Sequence, residues 1–398
     1  MRIALVHDWL TGMRGGEKCL EVICRRFPDA QLFTLLHAEG STSPEIERMD
    51  IRTSFLQRIP GVERHYRKLL PLMPSAVQRL ALPDDIDLVL SFSHAVAKSI
   101  PVPAGIPHVC YCFTPMRYAW HMRADYVAPP TGAGQGSTIL SGRITRASLA
   151  AAKKLVLDSI RDWDRDTSDR VTHFVAISKT IAQRIEDAYG RPSRIIHPPV
   201  DTNFYTPADV DREDFYLCVT ALVPYKRIDL AIAACERLGK RLVVIGSGPE
   251  ADALREKAGP RVEFLGWRSN EEIRDYLRRC RALLFPGHED FGIVPVEAQA
   301  CGAPVIAFAA GGATETIVAA NDRLPGTGRF FTEQSVESLV DAMQWLEDHP
   351  QQFSPQLARE NSLRFTVEQY EESLVAYLDE VLREAHGPQY DKARVIAA

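Results

Sequence analysis

Short apolar runs of strand length alternate with helix-length amphipathic stretches along most of this 398-residue chain. In the first half the runs are Arg2–Asp8, Ala30–Leu36, Asp87–Ser93, His108–Phe113 and His173–Ser178. In the second half they are Phe215–Leu222, Arg241–Gly248, Val262–Trp267, Arg281–Gly287 and Pro304–Ala309. Strands alternating with helices predict an α/β architecture with parallel sheets. Because the series opens afresh midway, it predicts two doubly wound, Rossmann-like domains. The seam falls near Ile196–Pro207, where three prolines and no periodicity mark a linker. The reading is therefore an N-terminal domain over 1–198, a C-terminal domain over 199–366, and a final amphipathic helix over 367–386 that packs back on the first.

The stretch FPGHEDFGIVPVEAQACGAPVIAF (Phe285–Phe308) breaks the simple alternation. Proline is tolerated in a first helical turn but not in a helix interior, where it lacks the N–H and clashes with the turn before it. Pro295 therefore predicts a loop holding Glu289 and a helix that begins near the proline, with Glu297 in its first turn. Gly302 is the expected C-terminal cap, ahead of another strand.

Composition narrows the class. A chain 45% hydrophobic and 25% charged is globular, and a formal net charge of −5 argues against a nucleic-acid partner. No apolar run approaches the ~18 residues of a membrane span. His7 and Asp8 interrupt the first apolar run, so it reads as a strand and not as a signal peptide. Eight cysteines in so long a chain predict buried free thiols and a reduced, cytoplasmic setting, and Cys110 and Cys112 have no second pair at metal spacing. Ala128–Gly142, rich in Gly, Pro, Ser and Thr, reads as a loop. Arg64–Leu82 is basic and apolar together: it suits either peripheral docking on an anionic membrane face or a helix pair that packs its leucines inward.

The candidate chemistry lies in the loops after the strands. Ligands of open parallel sheets bind at the carboxyl ends of strands, and two facing domains make the cleft between them the expected site. After the first strand, Gly15 and Gly16 precede a helix carrying Lys18, which lets backbone and helix N-terminus approach an anion. After Phe215–Leu222 come Lys226 and Arg227, two cations at a helix start that oppose the local dipole and that a phosphate would satisfy. Gly246 and Gly248 form another glycine-bearing turn, and Gly266 and Trp267 precede a helix capped by Ser269 or Asn270 with Glu272. Gly292, Ile293 and Val294 offer N–H groups suited to a diphosphate, Glu297 suits ribose hydroxyls, and Glu289 suits sugar hydroxyls or positive charge growing at an anomeric carbon. The pattern asks for phosphates between two hydroxyl-bearing rings, as in a nucleotide-sugar. The G-x-G-x-x-G fingerprint of nicotinamide enzymes is absent, and no acid/base pair for an epimerase stands out.

These residues resemble family 4 of the glycosyltransferases. EDFGIVPVE matches that family's E-x7-E motif, and Gly302, Pro304, Gly311, Gly312 and Glu315 continue the pattern. LVPYKRIDLAI, IGSGPE, FLGW and PPVD extend the likeness over nearly the whole chain. HDWLTGMRGGEK and TPMRYAW are similar to the branch that transfers mannose from GDP-mannose in surface polysaccharide assembly. The resemblance implies a GT-B arrangement, retaining transfer without a metal or cofactor, and an acceptor that is a glycan or lipid-linked. It also implies Glu289 and Lys226 as catalytic residues. Donor contacts would come from Gly15, Gly16, Arg227, Gly246, Gly248, Trp267, Phe291, Gly292, Ile293, Val294 and Glu297. Thr114, Arg117 and His121 are candidate contacts to the sugar or acceptor. Two positions depart from the family: Ala221 stands where an arginine is common, and Phe113 where a histidine precedes Thr-Pro. Those departures keep a second reading open, a catalytically weak sugar-nucleotide binder.

Overall fold

The computed structural model describes residues 2–123 and 146–387. The loop expected at 128–142 and the tail after Gly387 lie outside them. The chain forms two compact units. One comprises the chain to Ile177, Ile181–Ile196 and the chain from Ser373; the other comprises Ser178–Thr180 and His197–Glu372.

The first unit holds a seven-stranded parallel sheet. Its strands are β1 (Ile3–His7), β2 (Gln31–Thr34), β3 (Asp50–Thr53), β4 (Leu88–Ser93), β5 (His108–Cys112), β6 (His173–Ala176) and β7 (Ser193–Ile195). They run in the order β3-β2-β1-β4-β5-β6-β7. The second unit holds six: β8 (Phe215–Val219), β9 (Arg241–Ile245), β10 (Val262–Gly266), β11 (Ala282–Phe285), β12 (Val305–Phe308) and β13 (Gly328–Phe331), in the order β10-β9-β8-β11-β12-β13. Every residue of β1, β4 and β5 is buried. Helices covering both faces of a parallel sheet exclude water from both, so these strands read as continuous apolar runs and not as alternation.

Three strands escaped the hydrophobic pattern: β3, β7 and β13. Each lies at a sheet edge, where one flank has no neighbour to bury it. Asp50–Thr53 is polar and mostly exposed, and Ser193–Ile195 is short. β13 opens on Gly328, where an added Cβ would lie 2.2 Å from the Val305 carbonyl oxygen. The strand pairs only because that position carries no side chain.

The basic-apolar stretch at 64–82 folds as short helical turns (Val62–His65, Tyr66–Leu72, Met73–Val77). Met73, Ala76, Val77 and Leu80 enter the core of the first unit, while Leu72 stays exposed. The inward-packing reading thus describes most of its apolar residues. No described helix is long and apolar enough to cross a membrane. All eight cysteines are free and buried.

A buried ion pair ties the first unit together across the sequence. Lys98 Nζ lies 3.0 Å from Asp164 Oδ1, with both side chains shielded from water. Trp120 Nε1 and the Tyr189 hydroxyl donate to Asp164 Oδ2 at 2.7 and 2.8 Å. Such a pair holds only because its remaining lone pairs find donors.

Candidate active site

Both sheets reverse their strand order once, between β1 and β4 and between β8 and β11. Loops leaving the two strands at such a switch diverge to opposite faces and open a crevice at their carboxyl ends.

In the second unit, β8 leads through a 3-10 turn, Pro224–Lys226, into the helix Ile228–Leu238. Arg227 joins them with φ 52° and ψ 42°, the left-handed region. Among the described residues no other non-glycine has positive φ. That conformation costs an ordinary side chain about 1–2 kcal/mol, so surrounding structure must impose it. The Arg227 guanidinium lies 3.1 Å from Asp229. Lys226 Nζ forms an ion pair with Glu289 at the exit of β11, and both side chains are largely shielded. The clash with the helix dipole expected for these two cations is therefore met within the chain, by Asp229 and Glu289.

Glycines let the loops close on one another. A Cβ at Gly287 would lie 2.9 Å from the Lys226 Cα, so the β11 loop can lie against the lysine's backbone only with glycine there. Beyond β12, Gly311 has φ 70°, and a Cβ there would fall 2.1 Å from the Glu289 carbonyl oxygen. Glu289 and Gly311 form an isolated bridge, and Gly312 N–H donates to the Glu289 carbonyl at 2.9 Å. The glutamate's backbone is thus pinned from two sides, which fixes where its carboxylate starts.

The helix after Glu289 spans Ile293–Ala300, two residues earlier than Pro295 suggested. Its N-cap is Gly292, with φ 92°. Proline fits at the third position because the first amides of a helix have no partner within it. The N–H groups of Gly292, Ile293 and Val294 therefore stand at the helix start. Glu297 falls in the second turn and is buried, with the Tyr205 hydroxyl against it; burial first, then the Glu297 charge, raises the Tyr205 pKa. Phe291 is buried and stacks on His197, ring centroids 5.4 Å apart.

Gly246 and Gly248 have a packing reason. A Cβ on Gly246 would fall 1.8 Å from the Thr220 carbonyl oxygen, and one on Gly248 2.3 Å from that of Leu222. They bring the exit of β9 against that of β8. Trp267 is 76% exposed. The helix Asn270–Arg279 carries the expected cap: Ser269 and Glu272 hydrogen-bond reciprocally.

In the first unit, β1 ends in His7 and Asp8. Asp8 is fully buried and accepts four backbone N–H groups, from His94, Ala95, Val96 and Ala97, at 2.6–2.9 Å. His94 Nδ1 also lies 3.1 Å from Asp8 Oδ2. One carboxylate therefore shapes the exit of β4 and orients an imidazole. His7 Nδ1 donates to the Trp9 carbonyl at 3.0 Å, and burial lowers its pKa to about 4. Gly15 and Gly16 open the helix Gly15–Arg26. A Cβ on Gly16 would sit 3.1 Å from the Phe113 ring, so the glycine admits that ring. Thr114 is buried with its hydroxyl turned to the Pro115 carbonyl, Arg117 is half-buried and His121 exposed. Sequence reading missed Asp8, His94 and Tyr205. Two polar residues, His7 and Asp8, closing the apolar run Ile3–Val6 were the available signal for Asp8.

Two family descriptions match the chain in succession: "Glycosyltransferase Family 4" over residues 13–204 and "Glycosyl transferases group 1" over residues 202–364. The chain belongs to glycosyltransferase family 4. Among its relatives is a D-inositol 3-phosphate glycosyltransferase of Mycobacteroides abscessus, 29% identical over 57% of this chain and 54% of that one. Another is a GDP-mannose-dependent monoacylated alpha-(1-6)-phosphatidylinositol monomannoside mannosyltransferase of Corynebacterium glutamicum, 30% identical over 49% of this chain and 58% of that one. The chain thus spans about half the length of these curated relatives. Anabaena Alr3699/HepE, solved with UDP and glucose, shares the fold at TM-score 0.67 and 19% identity, over 95% of this chain and 99% of that one. Sucrose-phosphate synthase from Thermosynechococcus elongatus does so at 0.67 and 14%, over 96% and 100%. Two parallel-sheet α/β units and these neighbours give the fold class as GT-B.

Within family 4, the two departures now have surroundings. Ala221 is exposed, and Arg227, the nearest guanidinium in sequence, is held by Asp229. Phe113 packs among His7, Phe92, His94 and Tyr111, with centroids 5.5–6.5 Å away. It fills an aromatic cluster at the end of β5 in place of a polar ring. Among the described residues no cluster of His, Cys, Asp and Glu has the makings of a metal site.

Proposed function

We propose that the chain is a retaining glycosyltransferase that moves mannose from GDP-mannose to a glycan or lipid-linked acceptor in surface polysaccharide assembly. The observation that carries this reading is the Lys226–Glu289 ion pair at the β8/β11 switch, next to the first amides of the helix Ile293–Ala300. An arriving diphosphate offers Lys226 a second anion and takes up the amides of Gly292, Ile293 and Val294. Glu289 is then released to face the anomeric carbon. There its charge stabilises the positive character that grows as the C1–oxygen bond to the diphosphate breaks. The acceptor oxygen bonds to C1 on the face the diphosphate leaves, and the departing phosphate oxygen takes the acceptor's proton. Mannose and guanine are supported by the 30% identical mannosyltransferase relative and by the HDWLTGMRGGEK and TPMRYAW stretches.

Saturation-transfer NMR with GDP-mannose, UDP-glucose, UDP-N-acetylglucosamine and NAD tests the donor. Selective saturation and slow hydrolysis of GDP-mannose are expected. Saturation by none of the sugar nucleotides would refute the enzyme reading. One observation favours a second reading, a weak sugar-nucleotide binder within the same pathway: Arg227 is engaged by Asp229 and does not stand in for an arginine at 221. Binding of GDP-mannose with no hydrolysis, and no transfer across an acceptor screen, would favour it.

A further inference from the structure

A cavity of about 170 Å³ opens in the second unit at the amino ends of three strands, where Arg281, Pro304 and Thr327 lead into β11, β12 and β13. Lys226 and Glu289 belong instead to loops at carboxyl ends, after β8 and β11. With β11 four residues long, about 13 Å of strand separates its two ends. None of the residues assigned to the donor lines the cavity.

Two guanidinium groups do line it, and each keeps an unused donor. Arg212 gives one Nη to the Cys280 carbonyl at 2.8 Å and the other to that of Gly302 at 2.6 Å. Among the described residues its Nε has no hydrogen bond and no carboxylate pairs with it, so its charge meets only neutral carbonyls. Burial lowers the Arg212 pKa, as expected for a cation poorly served by solvent. Arg281 pairs with Glu347 at 2.7 Å, but its Nε is buried and finds no acceptor among the described residues. Glu347 is already shared: Lys240 lies 3.3 Å from it, and the Tyr216 hydroxyl donates to it at 2.7 Å. A buried charge is costly unless paired, and so is a buried N–H without an acceptor. A carboxylate has one oxygen for each Nε–H.

Much of the remaining wall is apolar, with Leu346, Phe353 and Pro355 among its residues. Ser354, also in the wall, caps the helix Pro355–Ser362 by accepting the Leu357 N–H at 3.3 Å. The start of that helix carries partial positive charge, which adds to that of the arginines. Apolar walls favour a ligand with an apolar body over a hydrated ion. A cavity of about 150 Å³ is enough to hold benzene, so this one has room for a body of that size.

We propose that this cavity binds a small organic monocarboxylate with an apolar body about the size of a benzene ring, its carboxylate held by Arg212 and Arg281. The site lies beyond the glycosyltransferase reading and does not depend on it.

Saturation-transfer titration of the full chain with benzoate tests it. Saturation is expected, and its absence at millimolar benzoate overturns the proposal. Benzamide, of the same shape but neutral, should bind at least about tenfold more weakly; equal binding would make the cavity merely apolar and overturn the anion assignment. Arg281→Gln should weaken benzoate at least about tenfold, and a change below about twofold overturns the proposal. Ala358→Leu fills the cavity from its buried wall without removing either charge, so a loss there cannot come from a broken ion pair. Benzoate binding that survives Ala358→Leu at full affinity puts the ligand elsewhere and overturns the site. Displacement by an equal concentration of inorganic phosphate would make this a site for any anion and overturn the organic assignment. Lys226→Ala should bind benzoate as the wild type does, and GDP-mannose should not displace it; failure of either would put benzoate among the donor residues and overturn the proposal. If GDP-mannose binds no form of the protein, the glycosyltransferase reading fails while the benzoate titrations decide this site by themselves.

Discussion

The two strand-order switches have the same topology and use their carboxylates differently. At β8/β11 a lysine and a glutamate from different loops neutralise each other, and neither carries the architecture alone. At β1/β4 the carboxylate is sealed in: Asp8 is consumed by four amides and holds the β4 exit. A charged residue at a strand end can therefore be scaffold or chemistry, and burial with saturated hydrogen bonds separates the two. Asp8 is scaffold on that criterion, and Glu289 is available for chemistry.

Substitutions can break this contrast. The largest effect is expected for Asp8→Ala, which leaves four N–H groups, three of them buried, without an acceptor at about 1–3 kcal/mol for each buried one. Partial relaxation should leave a loss of at least about 3 kcal/mol, read by urea unfolding; a change below about 1 kcal/mol would remove the distinction. Glu289→Gln, which leaves the shielded Lys226 without its carboxylate, should cost less stability than Asp8→Ala but lower GDP-mannose turnover by about 10²–10³, the scale of losing one transition-state electrostatic contact. Lys226→Ala comes next. Losing one charged phosphate contact, about 1.5–3 kcal/mol, should weaken GDP-mannose binding roughly ten- to a hundredfold in a direct titration.

Gly246→Ala tests whether glycines set the second switch. Its φ of 133° is a conformation side chains rarely adopt, at about 1–3 kcal/mol, and the new methyl would overlap the Thr220 carbonyl. The melting temperature should fall, and donor affinity with it. The smallest effect is in the pH profile. His94, held at about 3, binds fewer protons folded than unfolded below its ordinary value of 6.5. Stability should therefore be full above pH 6.5 and decline as pH falls toward 3, with a contribution of up to about 1.4 kcal/mol per pH unit. His94→Gln should flatten part of that slope between pH 6 and 4 in thermal scans; an unchanged slope would place the titration elsewhere.

Much of this was legible along the chain because its causes are local. Buried strands show as apolar runs, Pro295 marks a helix start, and Ser269 with Glu272 marks a cap. The strand-end loops holding Lys226 and Glu289 followed from the same reading, since in parallel sheets function gathers where strands end. Pairings across long separations were not legible. Nothing near Asp8 announces that residues 94–97 will donate to it, and Lys98 gives no sign of Asp164. The edge strands β3 and β7 were missed because their exposed, polar residues leave no hydrophobic trace, and β13 because its four residues open on glycine and arginine.

The sequence by itself determined the two α/β units, the order of their strand-end loops and the family, because hydrophobic period, turn chemistry and motif spacing act over a few residues. Only the tertiary structure decided which charges meet. It joined Lys226 to Glu289, turned Arg227 to Asp229, and sealed Asp8 beneath the β4 exit against His94. Electrostatic partnership depends on distance and burial, and folding sets both between residues far apart in the chain.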